Sequence, residues 1–382
     1  MIECSKYKLS ECCLSISDGD HLPPPKVDAG IPFITISDID SSNRLNLDVK
    51  QFVPEEYYNN LKDIRKAQRN DILYSVVGSF GIPVIIKGND KFVFQRHIAI
   101  LRPDPTKVIP DYLFYIMKSY NFYMQADSVA IGAAQRTISL TALRNMTVEL
   151  PSMDVQKKIA TILSRYDSLI DNYQKQIKLL EEAAQRLYKE WFINLRFPGH
   201  ESTKIVDGVP EGWEKKKLGS IAPILTGKKD ANYGTLDGNY PFFTCSQEPI
   251  KAPSYSFDAE AVLLAGNGDF NVKLYRGRFE AYQRTYVLIP SNADLLYVLY
   301  NSVAKNMVKL ANGASGSTIK FLTKRMIENI DVLVPTNTIL NEYNSLRRKI
   351  QQDLENIKSQ LRLLTESRDR LLPKLLSGEI EV

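Results

Sequence analysis

The chain has 382 residues, 44% of them hydrophobic and 24% charged, which is enough to fill more than one core and favours two or three domains. Its net charge of +5 permits a polyanionic partner without establishing one, and no stretch approaches the roughly 20 apolar residues that span a bilayer. The N-terminal segment lacks the apolar run of a secretory signal, so a cytoplasmic location is expected; Cys4, Cys12, Cys13 and Cys245 form no Cys-x-x-Cys pair, and with the scattered His21, His97 and His200 they make neither a disulfide framework nor a metal site.

In chain order, short β-branched and aromatic runs broken by Gly, Pro and Asn turns predict a mixed α/β domain built mainly on a sheet. A polar loop from Asp18 to Pro25 precedes the apolar run Gly30 to Thr35. Asp71 to Gly81 reads as a strand entering a glycine-rich turn, Phe94-Gln95-Arg96 leads into another apolar run, a helical stretch lies near Tyr112 to Tyr123, and Gly132 to Ile138 is a Gly/Ala-rich loop before a strand ending at Leu150-Pro151. The second half repeats these features in order, with Asn239 to Thr244, Ala261 to Phe270, Tyr282-Gln283-Arg284, a helical stretch at Leu295 to Val308, Gly313 to Ile319 and Val334-Pro335. A repeat this long implies duplicated domains rather than a solenoid, and the Gln-Arg pair is expected to hold one place in both.

After Pro151, apolar residues alternate in steps of four and three: Ile159, Leu163, Tyr166, Ile170, Tyr173, Ile177, Leu180, Ala184, Leu187 and Trp191. After Pro335 the same seam runs Ile350, Leu354, Ile357, Leu361, Leu364, Arg368, Leu371 and Leu375, broken only by Arg368. Adding 184 carries Pro151 onto Pro335 and Tyr166, Ile170, Tyr173 and Ile177 onto Ile350, Leu354, Ile357 and Leu361, so the seams share one register. Ser152, Asp154, Thr336, Asn337 and Thr338 are capping residues at the starts. A helix over 156–191 extends about 54 Å, or about 16 base pairs of duplex, which makes it a plausible ruler. If an approximate two-fold axis relates the halves, their helices run antiparallel with the domains at opposite ends, the symmetry of a duplex with two half-sites.

Several segments together are specific: Asp18 to Pro25, Asp71 to Gly81, Gln156 to Leu163, Leu187 to Phe192 with Arg196 to Gly199, Val209 to Trp213, and Leu371 to Gly378. On these the chain resembles, over essentially its whole length, the specificity subunit of type I restriction-modification systems. The first half lacks the Pro-Glu-Gly-Trp lead of the second and starts instead at Tyr7-Lys8-Leu9. The resemblance implies an α/β chain of two similar mixed α/β target recognition domains separated by two long antiparallel coiled-coil helices. The expected division is a first recognition domain at 1–151, a first spacer helix at 152–196, a linker at 197–212, a second recognition domain at 213–335 and a second spacer helix at 336–378. It also implies a non-catalytic subunit that binds double-stranded DNA and docks two methyltransferase subunits and restriction subunits. Those partners, not this chain, would use S-adenosylmethionine, ATP and Mg to methylate adenine and to translocate and cut DNA.

Base readers need side chains that fork hydrogen bonds to base edges, with glycine nearby so that backbone approaches phosphate. Gln95, Arg96, Gln283 and Arg284 fit that need, or else brace the sheet. Gln135, Arg136, Thr137, Ser317, Thr318 and Lys320 sit in loops, where function concentrates. Ser79 and Asn267 lie in matching glycine turns, where turn chemistry is the plainer reading. Lys228 and Lys229 are candidate phosphate contacts in the loop aligned with Asp18-Gly19, and His21 is a candidate contact or an ordinary loop histidine. Tyr188, Trp191 and Phe192 crowd one helix end, either as core or as a partner-docking surface. An enzyme would leave catalytic signatures, yet there is no Asn-Pro-Pro-Tyr methyltransferase loop, no complete phosphate loop at Gly227 and no dinucleotide turn at Gly266. The rival reading is a coiled-coil scaffold without sequence-specific DNA binding.

Overall fold

The computed structural model describes residues 4–19, 24–40, 43–133, 135–316 and 320–382. Contacts divide the chain into two units, Met1–Gln174 with Gln360–Val382, and Lys175–Ser359.

In the first unit a four-stranded antiparallel sheet runs in the order Cys13–Asp18, Ile98–Pro103, Ile72–Ser75, Pro83–Ile85. A smaller sheet places Ile31–Ile34 between Phe52–Val53 and Val93–Phe94, parallel to the latter. The run Ile72-Leu73-Tyr74-Ser75 is wholly buried because core lies on both of its faces. Its alternation sorts side chains accordingly. Ile72 and Tyr74 join Ala99, Leu101 and the helix Pro110–Lys118, while Leu73 joins Ile98, Ile100 and Phe94. The expected helical stretch is two helices, Pro110–Lys118 and Tyr120–Val129, split at Ser119, whose hydroxyl caps the second by accepting from the Phe122 N–H. Ser5–Lys8 pairs with Thr147–Leu150.

The second unit carries a six-stranded sheet in the order Ile224–Thr226, Thr285–Leu288, Phe257–Ala265, Val272–Ala281, Tyr240–Phe243, Ile250–Ala252. Val262, Leu264 and Leu288 face the core that contains the helix Leu296–Asn312, and Ala261, Leu263 and Val287 face the opposite side. The pairings repeat those of the first unit. Tyr240–Phe243 runs parallel to its neighbour as Ile31–Ile34 does, and Glu214–Lys217 pairs with Asp331–Val334 as Ser5–Lys8 pairs with Thr147–Leu150. The difference lies in one strand. Val272–Ala281 is continuous, whereas the polar run Lys87-Gly88-Asn89-Asp90 separates Pro83–Ile85 from Val93–Phe94 and splits into two sheets what is one six-stranded sheet in the second unit.

The long helices span Met153–Tyr188 and Asn337–Ser377. Every residue of both expected seams is buried or half-buried. Within the first unit, Lys158 Nζ meets the Val382 carbonyl at 3.2 Å and Arg368 meets Asp167 at 2.7 Å, so the helices run antiparallel there. Within the second unit the sense is the same: Tyr343 packs on Trp191, and Lys358 pairs with Glu181 at 2.7 Å. The helical regularity of the first ends earlier than the expected 196, in a π turn over Lys189–Ile193. The expected linker holds the hairpin Ile205–Val206 with Val209–Pro210, and Phe197 is buried in the second unit's core.

Arg368, the apparent flaw in the second seam, has a local cause. Its guanidinium bonds Asp167 at 2.7 Å, and the other oxygen of that carboxylate accepts the Tyr115 hydroxyl at 2.7 Å. Burial, then the adjacent carboxylate, pushes the Tyr115 phenol far above its ordinary value, so it stays a donor.

Candidate nucleic-acid interface

In the first unit three segments are stitched together beyond the end of strand Ile72–Ser75. Val76 donates its N–H to the His97 carbonyl at 2.9 Å, Ile138 donates to Val76 at 2.8 Å, and Gly78 donates to Arg136 at 2.9 Å. Backbone bonds between Ile131 and Thr137, at 3.0 and 2.8 Å, close the third segment into a loop. Gly78 (φ 69°) and Gly132 (φ 108°) occupy the left-handed region, which side chains avoid. Gly19 is held by space instead, since a Cβ there would stand 2.2 Å from the Phe94 carbonyl oxygen.

The second unit repeats the stitching with different side chains. Gly266 donates to Arg284 at 2.8 Å, Leu322 donates to Gly266 at 2.8 Å, and Ser315 and Phe321 close the loop at 3.0 and 2.8 Å. Gly268 (φ 68°) and Gly316 (φ 103°) take the places of Gly78 and Gly132. The Lys228-Lys229 loop joins them, because Gln283 donates its N–H to the Lys229 carbonyl at 2.9 Å.

The described candidate residues therefore gather in matching places. In the first unit Ser79, Arg96 and Gln135 are exposed, and Gln95, Arg136 and Thr137 are half-buried. In the second, Lys228, Gln283, Arg284 and Lys320 are exposed, while Asn267 and Lys229 are half-buried. Lys229 lies 4.3 Å from the Tyr233 ring centroid, Gln283 donates its side-chain amide to Asp230 at 2.8 Å, and Asn267 accepts from the Cys245 thiol at 2.9 Å. His21, Ser317 and Thr318 lie outside the described residues.

Two register expectations are corrected. The turns match as Gln95 to Ile98 and Tyr282 to Thr285: Gln95 and Tyr282 donate backwards to Ile34 and Phe243, and Ile98 and Thr285 close back onto Gln95 and Tyr282. Arg96 thus corresponds to Gln283, and His97 to Arg284. The shared Gln-Arg dipeptide sits one residue out of step, because hydrogen bonding from the strands, not residue identity, fixes the turn. In the third segment Gly132 corresponds to Gly316 rather than Gly313, so Arg136 corresponds to Lys320 and Thr137 to Phe321. His97 is the site residue that sequence comparison passed over. Burial, then the charge of Arg96, lowers its imidazole below the ordinary value. Counting back from the strand starts Ile98 and Thr285 finds it.

Tyr188, Trp191 and Phe192 are core residues of the second unit rather than a docking surface, which corrects their assignment to a partner. The Tyr188 and Phe192 rings stack at 5.0 Å, Phe192 meets Tyr343 edge-on at 4.9 Å, and each of the three side chains is less than 9% exposed. Rings this enclosed offer a partner no area.

Among the described residues no helix is long and apolar enough to cross a membrane. The sequence profile of the type I restriction modification DNA specificity domain matches residues 13–182 and again 210–364. The specificity subunit of the type I restriction enzyme MjaIX of Methanocaldococcus jannaschii is 26% identical over 306 residues, 72% of this chain and 70% of that protein. That of EcoDI of Escherichia coli is 35% identical over 178 residues, which span 45% of this chain and 39% of the relative. In fold, the crystal structure of a type I restriction-modification S subunit from M. genitalium superposes with a TM-score of 0.67 at 17% identity, over 98% of this chain and 96% of that one. A scaffold without DNA specificity is set aside by the doubled match, and the chain belongs to the type I restriction-modification DNA specificity family.

Proposed function

We propose that the chain reads a two-part duplex target, each unit contacting one half through its three stitched segments, and that it recruits methyltransferase and restriction subunits to that target in the cytoplasm. One observation carries the reading: the same backbone frame recurs in both units, while the side chains at equivalent places differ, Arg96 for Gln283, His97 for Arg284 and Arg136 for Lys320. A common frame with changed side chains is what two half-sites of different sequence require. The described candidate readers are Ser79, Gln95, Arg96, Gln135 and Thr137 in the first unit, with Arg136 in the same loop as Gln135, and Lys228, Lys229, Asn267, Gln283, Arg284 and Lys320 in the second. His21, Ser317 and Thr318 complete the set from the same segments of sequence.

The chemistry belongs to the partners in this reading, two methyltransferase subunits that take S-adenosylmethionine to adenine and restriction subunits that use ATP and Mg. The test is a map of methylated adenine in the source genome with and without this gene. Loss of one split motif supports the role, and an unchanged map refutes it.

A further inference from the structure

Arg136 and Gln135 are neighbours in one loop, yet the structure gives them opposite surroundings. Both terminal nitrogens of Arg136 are spent on the C-terminal end of the helix Tyr120–Val129. One pairs with the Asp127 carboxylate, and the other bonds the carbonyl of Asp127 and, at 3.5 Å, that of Ala130. A cation satisfying the last carbonyls of a helix is a favourable electrostatic arrangement. The guanidinium carbon lies over the Phe80 ring, 5.2 Å from its centroid, and Phe80 stacks in turn on Tyr123 of the same helix, at 6.0 Å and 10°. Gln135, by contrast, is exposed, and no other described residue engages its amide. Its backbone is held on the C-terminal side, where the Arg136 carbonyl accepts from Gly78 at 2.9 Å and the Thr137 hydroxyl donates to the Gln135 carbonyl at 3.4 Å.

We infer that Arg136 is a positioning residue that clamps the loop to the helix end, and that Gln135 is the specificity-determining residue the clamped loop presents to an adenine edge. This deepens the proposed function and rests on it. A glutamine amide forks to adenine N6 and N7 in the major groove only if its backbone is fixed in advance. Among the described residues the second unit has no equivalent clamp. Lys320 stands where Arg136 does, and Ala311, three residues before Ala314 as Asp127 is before Ala130, carries no anion. The pair that makes the clamp is thus not repeated at the equivalent positions, and this asymmetry confines the effect to one half-site.

The test uses the full chain and its Q135A, R136M, R136K and D127N variants, each checked for native circular dichroism. Duplexes are selected from a randomised pool, and binding of the selected duplex is then followed against salt. Q135A should lose discrimination at a single A·T pair, by roughly 5- to 150-fold, and leave the other half-site intact. R136M should blur that same pair with an unchanged salt slope, since a clamped guanidinium releases no counterion. D127N should copy R136M, and R136K should rescue little because an ammonium cannot fork to the helix end. A salt slope that falls by about one in R136M would make Arg136 a DNA contact and overturn the clamp. So would D127N binding that is tighter or unaltered in selectivity, a result that stands even if R136M does not fold. If Q135A keeps wild-type selectivity, the assignment of Gln135 fails while the two-part reading survives; a wild-type chain with no sequence preference overturns both.

Discussion

Replacing Arg368 with leucine restores the apolar residue that the heptad seam calls for, and the structure nonetheless requires it to destabilise. The Arg368 side chain is 14% exposed and Asp167 27%, and their bond is 2.7 Å. Breaking a fully buried pair costs about 3–5 kcal/mol. Asp167 keeps some solvent and its Tyr115 bond, and a leucine gains apolar burial, so Arg368→Leu should cost about 2 kcal/mol. Asp167→Asn alone should cost about 1 kcal/mol, because Arg368 retains Asp369 and the amide oxygen still accepts from Tyr115. The double variant leaves no unpaired buried charge, since Asp369 is 55% exposed, and should cost no more than about 1 kcal/mol, giving a coupling of about 2 kcal/mol. Urea unfolding followed by far-ultraviolet circular dichroism reads this as a midpoint shift of about 1 M for Arg368→Leu, at a slope of about 2 kcal/mol/M. Both tryptophans, Trp191 and Trp213, lie in the second unit, so their fluorescence supplies a separate signal from the unit that is not mutated. Single costs that add in the double variant to within about 0.5 kcal/mol would show that the ion pair is not what places an arginine in the seam.

Trp191→Ala should lower the stability of the second unit by about 3–5 kcal/mol in urea unfolding, as an excavated core does; unchanged stability with impaired partner assembly would restore the docking role. Gly227→Ala should weaken contact with one half-site only, because the added Cβ would stand 1.8 Å from the Ala281 oxygen and push the Lys228-Lys229 loop aside; equal affinity across selected duplexes would count against it. His97 should titrate below the ordinary imidazole value by NMR, since burial and Arg96 favour its neutral form. Its stabilising contribution is then present above a pH of about 6.5 and lost as pH falls through the lower folded value, where the unfolded chain binds the proton more readily. Specific duplex should raise that midpoint as phosphate offsets Arg96, and a midpoint unmoved by duplex would remove the turn from the interface.

The duplication and both long helices were legible because periodicity and order survive divergence: the seam from Ile159 to Trp191 and its copy from Ile350 to Leu375 depend on spacing alone. The pairing of individual site residues was not. Gln95-Arg96 and Gln283-Arg284 match as letters, but strand bonding at Ile98 and Thr285 sets the turns one residue apart. Gly132 likewise matched the wrong glycine, because a positive φ belongs to Gly316 and sequence does not display it. Arg368 read as an interruption because its partner Asp167 is 201 residues away in the chain. The contacts of Arg136 with Asp127 and Phe80 were not legible either, because nothing in the local sequence announces them.

The central claim, one half-target per unit, is tested most directly by exchanging residues 1–150 for the matching segment of another family member and selecting bound duplexes from a random pool. The account predicts that one half of the selected sequence changes and the other half stays as it was. A change in both halves, or in neither, would contradict it.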